Sequence, residues 1–286
     1  MVRLLGVGTN DPSIATVAPM TTTQSDTADR VVHCTIRDEI ATITLDSQHN
    51  RNALSRQLLA DLHRTLDEAA HAGPRAIVLT HRGPAFCAGA DLKERAAAGS
   101  APSDSTPFVQ ALERLMDAPC PTIAVVSGAV RAGGIGLMAS CDLVVVHEST
   151  SFALTEVHIG VAPAIIAVPI LRRVAPSRIA AAMLTGETFE ADEAQSIGLV
   201  THVSADVVST VDDLCNGILR GAPTAVTATK RVLGTVASMD RSEAFAAMAT
   251  LSNDMFNGAE AAEGMAAFAE KRRPDWSRSI GSGGEQ

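Results

Sequence analysis

Two short segments rich in glycine and alanine are places where the backbone itself could do chemistry. One is Phe86-Cys87-Ala88-Gly89-Ala90-Asp91-Leu92-Lys93; the other is Gly128-Ala129-Val130-Arg131-Ala132-Gly133-Gly134-Ile135-Gly136-Leu137. Small side chains let a ligand approach the main chain and leave N–H groups free to donate. The second segment lies between a strand-like and a helix-like stretch. Its Gly133-Gly134 pair therefore falls at a helix start, where exposed amides and the helix dipole favour negative charge. Two such turns together could hold an oxyanion. Each taken alone reads more simply as a tight turn. Neither matches a P-loop or a GxGxxG after the first strand, and no G-x-S-x-G occurs. Nucleotide hydrolysis, hydride transfer and serine hydrolysis have no support.

The rest of the composition narrows the field. The 286 residues carry a formal net charge of −9, with 46% hydrophobic and 19% charged residues, a globular balance. The longest cationic cluster, Lys271-Arg272-Arg273, is too short to make a basic patch, so nucleic acid and anionic membrane are poor partners. The five cysteines, Cys34, Cys87, Cys120, Cys141 and Cys215, show no metal-ligand spacing and read as reduced small hydrophobes. No metal site is expected. No apolar run approaches the roughly 18 residues of a membrane span. Residues 1–29 read as a flexible tail, within which Met20 is an alternative start.

The elements that must position the two turns follow from periodicity. Residues 31–36 and 40–45 are β-branched runs joined by a short polar turn, a hairpin. Residues 54–70 repeat apolar positions near 3.6 and predict a helix, and residues 76–80 read as a buried parallel strand. Helices are expected at 108–116, 134–140 and 174–184, and strands at 122–126, 142–146 and within 197–203. That alternation predicts an α/β fold with mostly parallel pairing. Beyond residue 206 strand signals vanish, and 207–219, 222–236, 241–256 and 259–270 read as helices. The stretch 99–105 is the loosest internal segment, a mobile loop by composition.

In this order, FCAGADLK, the glycine-rich turn, LMASCDLVV and FALTEVHIGVAP resemble the crotonase (enoyl-CoA hydratase/isomerase) superfamily. Arg51-Asn52-Ala53-Leu54, Leu184-Thr185-Gly186-Glu187 and Glu263-Gly264-Met265-Ala266-Ala267-Phe268-Ala269-Glu270-Lys271-Arg272 fit the same pattern. The resemblance implies an α/β spiral of ββα units over residues 30–219. A helical C-terminal region, 220–280, would follow, covering the active site and joining subunits into trimers, often paired into hexamers. It implies a cytoplasmic enzyme of fatty acid and lipid metabolism that takes an acyl-CoA thioester, with no cofactor beyond the coenzyme A of its substrate. It assigns the thioester oxyanion to the backbone N–H groups of Ala90 and Gly133. Contact with CoA and acyl chain falls to Arg51, Ala53, Ala88, Asp91, Leu92, Gly134 and Gly136, and to Phe268 and Lys271 from a neighbouring subunit.

One departure stands out. Two-glutamate hydratases of this family carry their first glutamate three residues after the oxyanion glycine, where this chain has Gly136. The second glutamate is present as Glu156. Glycine can neither give nor take a proton, so acid–base work falls to Glu156 or to water. A carboxylate beside an apolar acyl pocket should have a raised pKa. The space left at Gly136 is expected to hold water or part of a bulky acyl group. Gly136 together with the loop Val161-Ala162-Pro163-Ala164-Ile165-Ile166 after Glu156 resembles the bacterial methylglutaconyl-CoA hydratase-like branch, for which Arg131 or His158 could supply the cation a dicarboxylic chain needs. Three readings stay open: hydration with Glu156 as sole acid/base, double-bond isomerisation or another CoA-ester reaction, and acyl-CoA binding without turnover.

Overall fold

The computed structural model describes residues 29–99 and 104–277. The chain separates into two units at Arg30 and Val31. The N-terminal stretch read as a tail falls outside the described residues except for Asp29, and so does most of the loose segment 99–105. The second unit carries every element below.

A hairpin opens it: β1 (Val32–Arg37) runs antiparallel to β2 (Ile40–Leu45), turning through Asp38 and Glu39, both at positive φ. Strand alternation puts Ala41, Ile43 and Leu45 inward, all fully buried. α1 (Arg56–Ala72) starts at Ser55, whose hydroxyl accepts the Leu58 N–H at 3.2 Å. It buries Leu58, Leu62, Leu66 and Ala69 on one face. The chain then winds. β3 (Ala76–His81) leads into β4 (Ala85–Cys87), followed by α2 (Leu92–Ala97) and α3 (Thr106–Met116). β5 (Thr122–Val126) leads into β6 (Ala129–Arg131) and α4 (Gly133–Ala139). β7 (Leu143–His147) leads into β8 (Ser151–Ala153), a 3-10 turn at Thr155–Ile159, α5 (Ala164–Leu171) and α6 (Pro176–Thr185). After the opening hairpin, each of these three turns of the spiral of ββα units gives one strand to a large sheet and one to a small sheet. With β9 (Phe189–Glu190), α7 (Ala191–Ser196) and β10 (His202–Ser204), the sheets read β1-β2-β3-β5-β7-β10 and β4-β6-β8-β9. From β2 to β10 the large sheet is parallel; β4, β6 and β8 are parallel, and β9 closes the small sheet antiparallel.

One expectation is corrected. Residues 161–166, read as a loop, enter α5 at Ala164, because the run from Ala164 to Leu171 is apolar all round and packs on α4. The strand expected within 197–203 is there as β10, which takes in His202 and Val203; α7 and a turn at Gly198, φ 88°, precede it.

Helices finish the chain. α8 (Val207–Arg220) packs Val207, Val211 and Cys215 against Val78, Ile123, Val125 and Val145 of the large sheet. α9 (Pro223–Thr235) sends Lys230 into the spiral, where its ammonium lies 2.9 Å from Asp142 Oδ2 and donates to the Cys120 carbonyl at 3.0 Å. Asp142 also accepts the Thr122 N–H and hydroxyl. α10 (Arg241–Phe256) and α11 (Ala259–Ala269) follow. The Arg272 guanidinium grips both oxygens of Glu263 at 2.6 and 2.9 Å, and the Trp276 N–H donates to the Arg220 carbonyl.

Candidate active site

The small sheet decides where chemistry can happen. β4, β6 and β8 are parallel neighbours, so their C-terminal ends open on one side. β4 ends at Cys87 and the chain passes through Ala88-Gly89-Ala90; β6 ends at Arg131 and passes through Ala132 into Gly133; β8 ends at Ala153 and passes into Glu156. The register pairs Arg131 with Ala153, and the Ala132 N–H donates to the Ala153 carbonyl at 2.9 Å. The two small-residue turns and the glutamate therefore leave adjacent strands side by side.

The turns touch. A Cβ built on Gly89 would lie 2.8 Å from the Ala132 methyl and 3.5 Å from the Gly133 nitrogen. A Cβ on Gly134 would lie 2.8 Å from the Cys87 carbonyl oxygen, and one on Gly133 would lie 2.6 Å from Leu54 Cδ1. Gly89, at φ 84°, and the Gly133-Gly134 pair are glycines because the backbones approach closely here. Gly133 is the first residue of α4, where a helix has no internal acceptor for its N–H. Among the described residues neither the Ala90 N–H nor the Gly133 N–H has an acceptor in the chain.

Glu156 sits in the 3-10 turn, and its Oε2 is buried with no hydrogen-bond partner among the described residues. Burial raises its carboxyl above the usual carboxylate range, offset in part by its own backbone N–H. A carboxyl with a raised pKa holds a proton more readily than an ordinary one, which suits an acid/base role.

The other expected site residues fall into three groups. Arg51 (φ 56°) and Asn52 lie in a loop whose Arg51 carbonyl accepts the Ala88 N–H at 3.1 Å. Fully buried Asn52 ties that loop to the Arg82 and Ala85 carbonyls. Ala53 is buried beside it and Ala88 half-buried. Asp91 caps α2, accepting from the Lys93 and Glu94 N–H groups and from Asn50, and Leu92 is 51% exposed next to it. Phe268 and Lys271 lie at the end of α11, Phe268 87% exposed, and no hydrogen bond among the described residues joins them to these turns.

Gly136 overturns an expectation. Its space is not open: a Cβ there would fall 2.3 Å from Ile166 Cγ2 and 2.7 Å from Ile166 Cβ. Ile166, on α5 and 3% exposed, occupies the position. The two candidate cations are also committed elsewhere. Arg131 donates to the Ser151 carbonyl and hydroxyl at 2.7 and 3.0 Å, and His158 Nε2 to the Thr185 carbonyl at 2.6 Å. Cys87, between the turns, is inert, its thiol pushed up to about 12 by burial. Among the described residues no group of three or more His, Cys, Asp and Glu is placed to hold a metal ion.

Comparison with known proteins fits this arrangement. The model of the enoyl-CoA hydratase/isomerase family matches residues 35–279. The chain belongs to that family. Among its crotonase relatives, a mevalonyl-coenzyme A hydratase of Beauveria bassiana is 34% identical over 259 residues, 83% of this chain and 91% of the relative. A crystal structure of an enoyl-CoA hydratase from Mycobacterium avium is 37% identical, with a TM-score of 0.66 over 87% of this chain and 99% of that one. Pseudomonas aeruginosa AtuE is 30% identical, with a TM-score of 0.82 over 87% of this chain and all of its own. The crotonase spiral anticipated from the motifs is the fold of this chain.

Three residues that sequence reasoning passed over matter here. Leu54 and Phe108 wall the Gly133 turn, a Gly133 Cβ falling 2.6 Å from Leu54 Cδ1 and 3.5 Å from Phe108 Cζ. Ala132 enters α4 at φ 48° and ψ −121°. Periodicity marks the first two only as core positions, and no sequence pattern shows a backbone angle.

Proposed function

We propose that this crotonase adds water to, or removes it from, an enoyl-CoA-type thioester. The thioester oxygen accepts from the Ala90 and Gly133 N–H groups, and Glu156 is the only protein group that moves the proton. The observation that carries the reading is that two amides without acceptors and the half-buried Glu156, whose Oε2 is buried and unbonded, sit at the ends of three adjacent parallel strands. Negative charge that develops on the thioester oxygen as water oxygen bonds to the β-carbon, or as the α-carbon loses a proton in the reverse direction, would be stabilised by the two N–H dipoles. Glu156, with its raised pKa, would exchange that proton. Coenzyme A enters as part of the substrate, and no separate cofactor is invoked.

One observation favours a second reading, double-bond isomerisation. Ile166 presents hydrocarbon where a two-glutamate hydratase has its other carboxylate, so that side offers no group to hold a nucleophilic water. Moving a proton between two carbons needs one carboxylate and no water.

The exposed apolar side chains of the last helices, Phe245 at 74%, Phe256 at 67% and Met265 at 55%, support a homo-oligomer, a trimer or a pair of trimers. Phe268 and Lys271 would then reach a neighbour's CoA. Among the described residues no helix is long and apolar enough to cross a membrane. The cytoplasm and lipid metabolism are the setting that the family resemblance implies.

The test is incubation with straight, branched and dicarboxylic enoyl-CoA esters in H2(18)O, followed by mass detection. Incorporated heavy oxygen supports hydration, and a shifted double bond without it supports isomerisation. Binding of the esters with neither change would leave only a binder and remove the proposal.

A further inference from the structure

Ala132 holds a backbone conformation, φ 48° and ψ −121°, that glycine adopts freely and other residues keep only when their surroundings enforce it. The other non-glycine residues at positive φ among those described are Asp38, Glu39, Arg51, Asn52 and Lys271, all polar and in turns or at a helix end. Ala132 is the one apolar side chain in the set, and it directly precedes Gly133.

Its peptide groups are pinned on both sides. The Ala132 N–H donates to Ala153 on β8 at 2.9 Å, and its carbonyl accepts the Ile135 N–H at 2.9 Å in the first turn of α4. The conformation is therefore over-determined. Its consequence is the direction of the methyl group, which faces the Cα of Gly89 so closely that a Cβ on Gly89 would lie 2.8 Å from it. Gly89 is bonded to Ala90. The Ala132 methyl thus stands between the turn that carries the Ala90 N–H and the turn that carries the Gly133 N–H.

We infer that Ala132 is a positioning residue whose methyl group spaces the two oxyanion amides. This rests on the reading of Ala90 and Gly133 as the thioester clamp. Two donors serve one oxygen only when both lie about 2.7–3.1 Å from it. A glycine at 132 would suit the backbone better and would leave a methyl-sized gap between the turns. The methyl of the strained alanine sets that separation.

The experiment compares wild type, Ala132→Gly and Ala132→Ser. The probe is a cinnamoyl-type CoA thioester, whose conjugated carbonyl absorbs at longer wavelength when its oxygen is polarised. Ala132→Gly should keep or raise the thermal midpoint, since strain is released. It should lose most of the red shift of the bound probe and lower kcat about tenfold at nearly constant KM, less than the roughly 10²–10³-fold cost of deleting an oxyanion donor. Ala132→Ser restores the Cβ and should recover most of the shift. A full red shift and unchanged kcat in Ala132→Gly overturn the inference, as does a fall in thermal midpoint that accounts for the lost activity. No red shift in wild type removes the thioester clamp and this inference with it. A wild-type shift that survives in Ala132→Gly overturns the spacing alone.

Discussion

Adding a single methyl at Gly136 tests how the missing glutamate's place is filled. In Gly136→Ala the new carbon would sit 2.3 Å from Ile166 Cγ2, 2.7 Å from its Cβ and 3.3 Å from its Cα. Rotating the Ile166 side chain moves only the first of these atoms, so α5 itself has to shift. Overpacking of this kind costs about 1–3 kcal/mol. Replacing a helical glycine by alanine contributes up to about 1 kcal/mol in the other direction. The net expectation is a loss of about 1–2 kcal/mol. Ile166→Ala alone leaves a cavity in a buried position and should cost about 2–5 kcal/mol. In the double variant the methyl enters the vacated volume, so its cost should fall below the sum of the singles by about 1 kcal/mol or more. Urea unfolding of the four proteins at a common m-value reads these differences. A Gly136→Ala protein as stable as wild type, or costs additive within about 0.5 kcal/mol, would refute the packing argument. Gly136→Glu carries the same clash and places a second carboxylate in a buried position. It should therefore lower activity rather than restore two-glutamate hydration.

Further outcomes follow from Glu156 and Lys230. Glu156→Gln should reduce turnover roughly 10²–10⁴-fold, measured on whichever enoyl-CoA ester the wild type converts. The acid limb of kcat/KM should lie above the usual carboxylate range, because the free enzyme's Glu156 must lose its proton at a raised pKa; a limb that survives in Glu156→Gln would belong to another group. The same shift has a sign for stability. Glu156 ionises earlier in the unfolded chain, so wild type loses stability as pH rises through the folded-state pKa. Thermal melts should therefore show Glu156→Gln gaining on wild type at pH 8 and the gap closing near pH 4. Lys230→Met strips Asp142 of its cation in a largely buried setting and should cost about 2 kcal/mol, lowering the midpoint by roughly 4–8 °C.

The large sheet and the helices were legible in the sequence because each has a strong period. Ala76-Ile77-Val78-Leu79 is an unbroken apolar run that opens a buried strand, and residues 54–70 repeat at 3.6, matching α1 within a few residues. The small sheet was not legible. β4, β6 and β8 span three residues each and β9 two, too short for any alternation to register, yet they align the site. α5 escaped because it contains Pro169 and is apolar on every side, so no polar face marks its turns. The turns at Ala90 and Gly133 were found through their small residues, since close backbone approach demands them. Ile166 was not, because occupancy of a glycine's empty side is a tertiary fact with no local signal. Arg131 and His158 looked available as cations for the same reason: their partners, Ser151 and Thr185, lie 20 and 27 residues away.

The most direct test of the central claim is proton exchange at the carbon next to the thioester. A saturated acyl-CoA is incubated in D2O with wild type and with Glu156→Gln, and deuterium at the α-carbon is followed by mass spectrometry. If the Ala90 and Gly133 amides stabilise the enolate oxygen and Glu156 carries the proton, wild type incorporates deuterium and the variant falls toward the uncatalysed rate. Equal exchange by both proteins, or none by wild type with an ester it demonstrably binds, would contradict the account.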